Sequence, residues 1–204
     1  MKPVSEKNLA TRLDNLNERI ASACRASGRS SEAITLIGIS KTKPAEDVAA
    51  AHALGLKNFG ENYLQEASGK IDALEGLAAT WHYVGNIQSN KTKEVAKYFD
   101  WVHTVDRNKI AQRLNAQCPT NKIIQALIQV NIDEDPNKGG CSPGETLNLA
   151  QQMMLLPRIQ MRGLMTILSK DSRPRDSYES VAQLFTVIAA KLPAVQQRCW
   201  DTLS

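Results

Sequence analysis

Apolar, strand-like runs alternate with helix-like segments along almost the whole chain, and this alternation restricts the fold more than any other feature. The runs are ITLIGIS (34–40), NFGEN (58–62), TWHYVG (80–85), WVHTVD (101–106), KIIQALIQVNI (122–132) and MRGLMTI (161–167). The closing WDTLS reads as the start of a seventh. An amphipathic helix precedes the first run, because Leu9, Leu13, Leu16 and Ile20 recur at steps of four, three and four, and Gly28 is placed to end it. KPAEDVAAAHALG is the next helix, with Pro44 near its first position, Glu46 and Asp47 in its first turn and Gly55 after its last. Further helices are expected in LQEASGKIDALEG, in NKTKEVAKYF with Ser89 as its cap, over 109–117, over about 145–156, and in YESVAQLFTVIAAKL. SKDSRPRDS and DEDPNKGGCSPG read as loops.

Strands that alternate with helices through short connections pair in parallel, with the crossover helices covering the sheet. Two architectures satisfy this pattern, a closed (β/α)8 TIM-type barrel and an open doubly wound sheet. No G-x-G-x-x-G follows the first run, which counts against a dinucleotide fold, and the near-regular βα units favour the barrel. Such a barrel ordinarily takes about 250 residues. The expectation is therefore one domain over residues 1–204, a barrel short of its last strand.

Composition removes several function classes. The chain is 42% apolar and 23% charged, ordinary for a globular protein. Its net charge of +4 comes from 25 basic and 21 acidic residues spread along the sequence, so nucleic acid is not an expected partner. MKPVSEKNLATRL lacks the apolar core of a secretory leader, and no run reaches the length of a membrane span. Cys24, Cys118, Cys141 and Cys199 stand far apart and read as free thiols of a cytoplasmic protein. His52, His82 and His103 have no metal-ligand spacing.

One residue stands out chemically. In ITLIGIS-Lys41, alternation along a strand puts Thr35, Ile37, Ile39 and Lys41 on one face. Ile37 and Ile39 are of the β-branched type that fills barrel interiors, so Lys41 is expected inside the mouth at the C-terminal end of the first strand. A lysine ringed there by apolar groups has its charged form disfavoured and becomes a usable amine nucleophile. The competing reading is a strand-ending lysine that simply reaches solvent. Lys43, beside Pro44, fits a solvated helix entry.

ISKTKPAED, NFGENYLQEA, WHYVGNIQSNK, VHTVDR, NIDEDPNKGG and RGLMTI, in this order, closely resemble the pyridoxal phosphate homeostasis protein family. The resemblance implies a barrel similar to the N-terminal domain of alanine racemases, holding pyridoxal 5′-phosphate (PLP) as a lysine aldimine. Carried over by position, Lys41 is the aldimine lysine, Asn62 lies close to the cofactor ring, and Met165 lines the pocket. His82 and Val84 would sit at the end of the third strand near the ring, with core packing as their alternative. Asn86, Gln88 and Asn90 are explained by turn and capping roles. Lys138 in NKGG resembles a family loop, with a mobile turn as the plainer reading.

The family pattern continues past the position of Ser204, with segments that supply phosphate contacts and an arginine facing the pyridine nitrogen. The expectation is that the natural chain is longer, and that a chain ending here would bind PLP weakly. The function implied is a PLP-binding protein acting in PLP and amino-acid homeostasis without robust turnover. It would be a cytoplasmic monomer, with amino acids or PLP-dependent apoenzymes as further partners. The alternatives are a PLP-dependent amino-acid racemase, which needs proton-transfer groups on both faces of Cα, and a cofactor-free Schiff-base aldolase.

Overall fold

In a computed structural model, the backbone is described for residues 6–204 and the side chains from residue 8 onward. MKPVS, the start of the segment read above as leaderless, lies outside the described residues. The chain divides into two compact units, Met1–Trp81 and His82–Ser204, with the division inside a strand.

The first unit opens with helix α1 (Glu6–Ser27). Its less exposed positions, Leu9, Leu13, Leu16, Ile20 and the buried Cys24, form the stripe expected from their spacing. Gly28 follows with φ +67°, the left-handed conformation that ends helices at least cost in glycine. After a 3-10 turn at Ser31–Ala33 come β1 (Ile37–Ile39), α2 (Ala45–Ala53), β2 (Asn58–Glu61), α3 (Leu64–Ala73) and the first residues of β3 (Thr80–Tyr83). Strand β1 pairs in parallel with β2, Ile37 opposite Asn58 and Ile39 opposite Gly60. This register shortens the first strand from the expected 34–40. Residues 34–36 would have to pair with 55–57, which form the turn out of α2, where Gly55 has φ +99°. The start of β3 joins β2 through the Thr80 N–H, which donates to the Lys57 carbonyl at 2.8 Å.

The second unit holds the end of β3, then α4 (Thr92–Tyr98), β4 (Trp101–Val105), α5 (Asn108–Gln117), β5 (Ile124–Gln129), α6 (Pro143–Met153), β6 (Ile159–Met165), α7 (Pro174–Ala189), α8 (Ala194–Gln197) and β7 (Thr202–Leu203). Every pairing from β3 to β7 is parallel and between strands adjacent in sequence. This is the parallel α/β arrangement that the alternation demands. Fully buried Val102, Ala126, Leu127, Ile128 and Leu164 form its strand core. Ile110, Ala111 and Leu114 of α5, and Leu149, Ala150 and Met153 of α6, are buried at helical spacing.

Three local expectations are corrected. Ser89 does not cap α4, whose cap position is Lys91; instead the Ser89 carbonyl accepts from Thr92 Oγ1 (3.0 Å) and Arg113 Nε (2.6 Å). Helix α7 begins at Pro174, inside the segment read as a loop, because proline is preset for a first helical turn and Asp176 follows in that turn. The short α8 has no periodic signal in the sequence and starts from Pro193. The closing strand, expected from WDTLS, is present as β7. It lies very close to β6: Gly163, paired with Thr202, has φ +150°, and a Cβ there would fall on the Thr202 carbonyl.

Candidate functional site

In a sheet of parallel βα units, ligands bind at the C-terminal ends of the strands. At that end of β1 the chain makes a tight turn. The Ser40 N–H still donates to the Gly60 carbonyl (2.9 Å), and the Lys43 N–H closes the turn on the Ser40 carbonyl (3.0 Å). Thr42, at φ +62°, takes a left-handed conformation uncommon for a β-branched residue. Lys41 is exposed on this turn, two residues past the strand. Among the described residues of this unit, no ring of apolar groups covers Lys41, and Ile39, its same-parity neighbour, is itself 48% exposed. The physical reason is that pairing with β2 ends at Ile39, so Lys41 belongs to a turn and not to a strand.

Asn62 follows β2 two residues beyond Gly60, as Lys41 follows β1 two residues beyond Ile39, the partner of Gly60. Asn62 is half-buried, and its Oδ1 is buried without a hydrogen-bond partner among the described residues. A buried amide oxygen is almost always paired in a folded protein, so an orphan needs an explanation.

Beneath the turn lies a charged cluster that the sequence reading did not single out. Glu61 is fully buried and Lys70 nearly so, and the Lys70 ammonium donates to Glu61 Oε1 at 2.5 Å. It also donates to the Ser40 carbonyl (2.7 Å) and to Glu66 Oε1 (3.1 Å), which accounts for all three of its donors. The Ser40 hydroxyl donates to Glu61 Oε1 (2.6 Å), and the Thr42 N–H donates to Glu66 Oε1 (2.5 Å). The available signal was the Glu66–Lys70 spacing of four on a predicted helix. Such a pair usually marks a solvated face, and burial of Lys70 is a tertiary fact.

The second unit contains His82 and Met165, and it places them apart. His82 is in register with Trp101, and Trp101 with Gln125, near the starts of β4 and β5. Met165 is the last residue of β6, opposite Gln129, the last of β5. His82 is 3% exposed, stacks on Trp101 and shares a 2.9 Å Nδ1–Nε2 hydrogen bond with His103. His103 Nδ1 in turn lies 2.9 Å from Ser204 Oγ. Burial, reinforced by the His103 charge, lowers the His82 pKa to about 3, and burial lowers that of His103 to about 4. These surroundings match the core-packing alternative for His82.

Met165 is buried at its strand end, and its carbonyl accepts from the Val130 N–H (2.8 Å). The NKGG segment is tied back to β5, because Gln129 Nε2 donates to the Gly139 carbonyl (3.0 Å) and the Cys141 N–H to the Gln129 carbonyl (2.9 Å). All four cysteines are free thiols. Among the described residues no helix is long and apolar enough to cross a membrane, and no three His, Cys, Asp or Glu side chains gather as metal ligands.

Parallel strands that alternate with helices define a parallel α/β protein. Residues 12–201 match the alanine racemase N-terminal domain family. The pyridoxal phosphate homeostasis protein of Pseudomonas aeruginosa is 44% identical over 176 residues, 86% of this chain and 74% of that one. PipY of Synechococcus elongatus, solved with PLP bound, superposes with a TM-score of 0.69 at 30% identity, covering 84% of this chain and 82% of PipY. The alanine racemase of Corynebacterium glutamicum shares the fold at a TM-score of 0.63 and 13% identity, over 92% of this chain and 52% of the racemase. This chain belongs to the alanine racemase N-terminal domain family and, within it, to the pyridoxal phosphate homeostasis proteins.

Proposed function

We propose that this chain binds PLP through the amine of Lys41 and acts in PLP homeostasis as a carrier without robust turnover. The observation that carries the reading is the occurrence of two features just past the ends of the paired strands β1 and β2. An exposed lysine follows β1, and after the neighbouring β2 stands an amide whose buried Oδ1 has no partner among the described residues. The residues fit the cofactor: PLP supplies an aldehyde, which a primary amine captures with loss of water. Its ring hydroxyl is a donor of the kind that an unpaired Asn62 Oδ1 would accept. Membership of the family, and PLP in the PipY structure, support the same assignment.

Met165, at the C-terminal end of β6, is proposed separately as a pocket residue on the strength of its motif. The parallel α/β chain is proposed to be that of a TIM-type barrel, acting in the cytoplasm as a monomer.

The test is incubation with PLP, absorbance, borohydride reduction and peptide mass mapping. A visible band that borohydride removes, and a pyridoxyl adduct on Lys41 that Lys41→Ala abolishes, are expected. A colourless protein, or adducts only on exposed lysines such as Lys57 and Lys97, overturns the reading. Solvent-isotope exchange at Cα of added alanine at an enzymatic rate would replace the carrier role with a racemase.

A further inference from the structure

A lysine presents its amine reproducibly only if the backbone that carries it is held, and Lys41 sits on an exposed turn. Two peptide groups flank its Cα. The first contributes the Ser40 carbonyl, which accepts from the Lys70 ammonium at 2.7 Å. The second contributes the Thr42 N–H, which donates to Glu66 Oε1 at 2.5 Å. The same Glu66 oxygen also accepts from Lys70 (3.1 Å), and Glu61 Oε1 bonds both Lys70 and the Ser40 hydroxyl. Both peptide planes beside Lys41 are thus fastened to one charged cluster. Because φ and ψ of a residue are set by its two flanking planes, the cluster sets the direction of the Lys41 Cα–Cβ bond.

Stability alone is a weak reason for this arrangement. The cost of desolvating two charges offsets their attraction, and an apolar pair of similar volume generally serves a core at least as well. The left-handed Thr42 points the same way, since strained backbone persists only where its surroundings over-determine it.

We propose that Lys70, with Glu61 and Glu66, is a positioning residue for Lys41, holding the Ser40–Thr42 turn in the one conformation that aims the amine. This inference rests on Lys41 being the PLP-bonding amine. It assigns a role to three side chains whose hydrogen bonds run to the Ser40–Thr42 turn and to one another.

The test compares Glu66→Ala, Glu66→Gln and the double variant Lys70→Met/Glu61→Gln with the unaltered chain. The measurement is the rate of PLP capture at Lys41 relative to exposed Lys97 in the same sample, by borohydride quench and peptide mapping. A loss of stability that leaves the chain folded does not by itself move that ratio. Glu66→Ala frees the Thr42 N–H and is expected to lower the ratio about tenfold. Glu66→Gln keeps an acceptor for that N–H and is expected to stay within about twofold of the unaltered chain. The double variant removes the ammonium without leaving a buried carboxylate unpaired, and is expected to fall with Glu66→Ala. Glu66 is partly exposed, so its variants report even if the double variant does not fold. Unchanged ratios in folded Glu66→Ala overturn the inference alone. Absence of a Lys41 adduct in the unaltered chain overturns the inference together with the functional reading beneath it.

Discussion

His82 Nδ1 and His103 Nε2 lie 2.9 Å apart in the core of the second unit, a contact that has room for one hydrogen and not for two. A neutral pair supplies that single hydrogen, whereas a doubly protonated pair would set two N–H groups against each other. Burial adds to this, and the two pKa values fall from 6.5 to about 3 and about 4. Below pH 6.5 the unfolded chain therefore binds protons that the folded chain refuses. The histidine contribution to stability is fully present above about pH 6.5 and is lost as pH falls toward 4 and 3. The expected slope is up to about 1.4 kcal/mol per pH unit for each histidine. Urea unfolding at pH 7 and pH 5 checks it, with His103→Gln expected to shrink the difference. An identical pH dependence in the variant would refute the pairing.

Lys70→Met alone leaves the fully buried Glu61 carboxyl without its counter-charge. Breaking a buried pair on one side costs about 3–5 kcal/mol. Denaturant unfolding should show a loss of that order for Lys70→Met and a much smaller one for the double variant with Glu61→Gln. Equal losses would mean that the carboxylate is not stranded.

Gly163→Ala places a methyl group on the Thr202 carbonyl and asks alanine to take φ +150°. The expected cost is about 2–4 kcal/mol, from strain and from displacement of β7. Amide hydrogen exchange at Ser204, whose N–H donates to the Leu164 carbonyl at 3.0 Å, should accelerate first. A stable variant with Ser204 still protected would contradict this close packing.

Asn62→Ala removes an amide oxygen that makes no hydrogen bond among the described residues. Thermal stability should hardly change, while PLP affinity falls about tenfold, the worth of one hydrogen bond to a ligand. A large loss of stability with unchanged affinity would assign Asn62 to the fold instead.

The fold was readable because its determinants are local. The α1 stripe from Leu9 to Ile20, the glycines after α1 and α2, and the six apolar runs each act within one element. A chain of such elements with short connections admits only parallel pairing. What failed at this level failed for want of a partner strand. ITLIGIS is apolar over its whole length, yet only Ile37–Ile39 has residues of β2 opposite it. Lys41 and Asn62 could be singled out from motifs, but that each lies two residues past the paired ends Ile39 and Gly60 could not, since it depends on which residue of β1 meets which of β2.

The sequence by itself determined the βα order and the family, because periodicity and motif spacing are properties of neighbouring residues. Tertiary structure alone decided that Lys41 lies on a turn and not within a strand. It alone put Lys70, a residue most often solvated, beneath that turn against Glu61, and bonded His82 into a neutral core pair. Each of these depends on groups brought together from distant points of the chain. Burial and hydrogen bonding between such groups settle whether a charge is stranded, paired or removed.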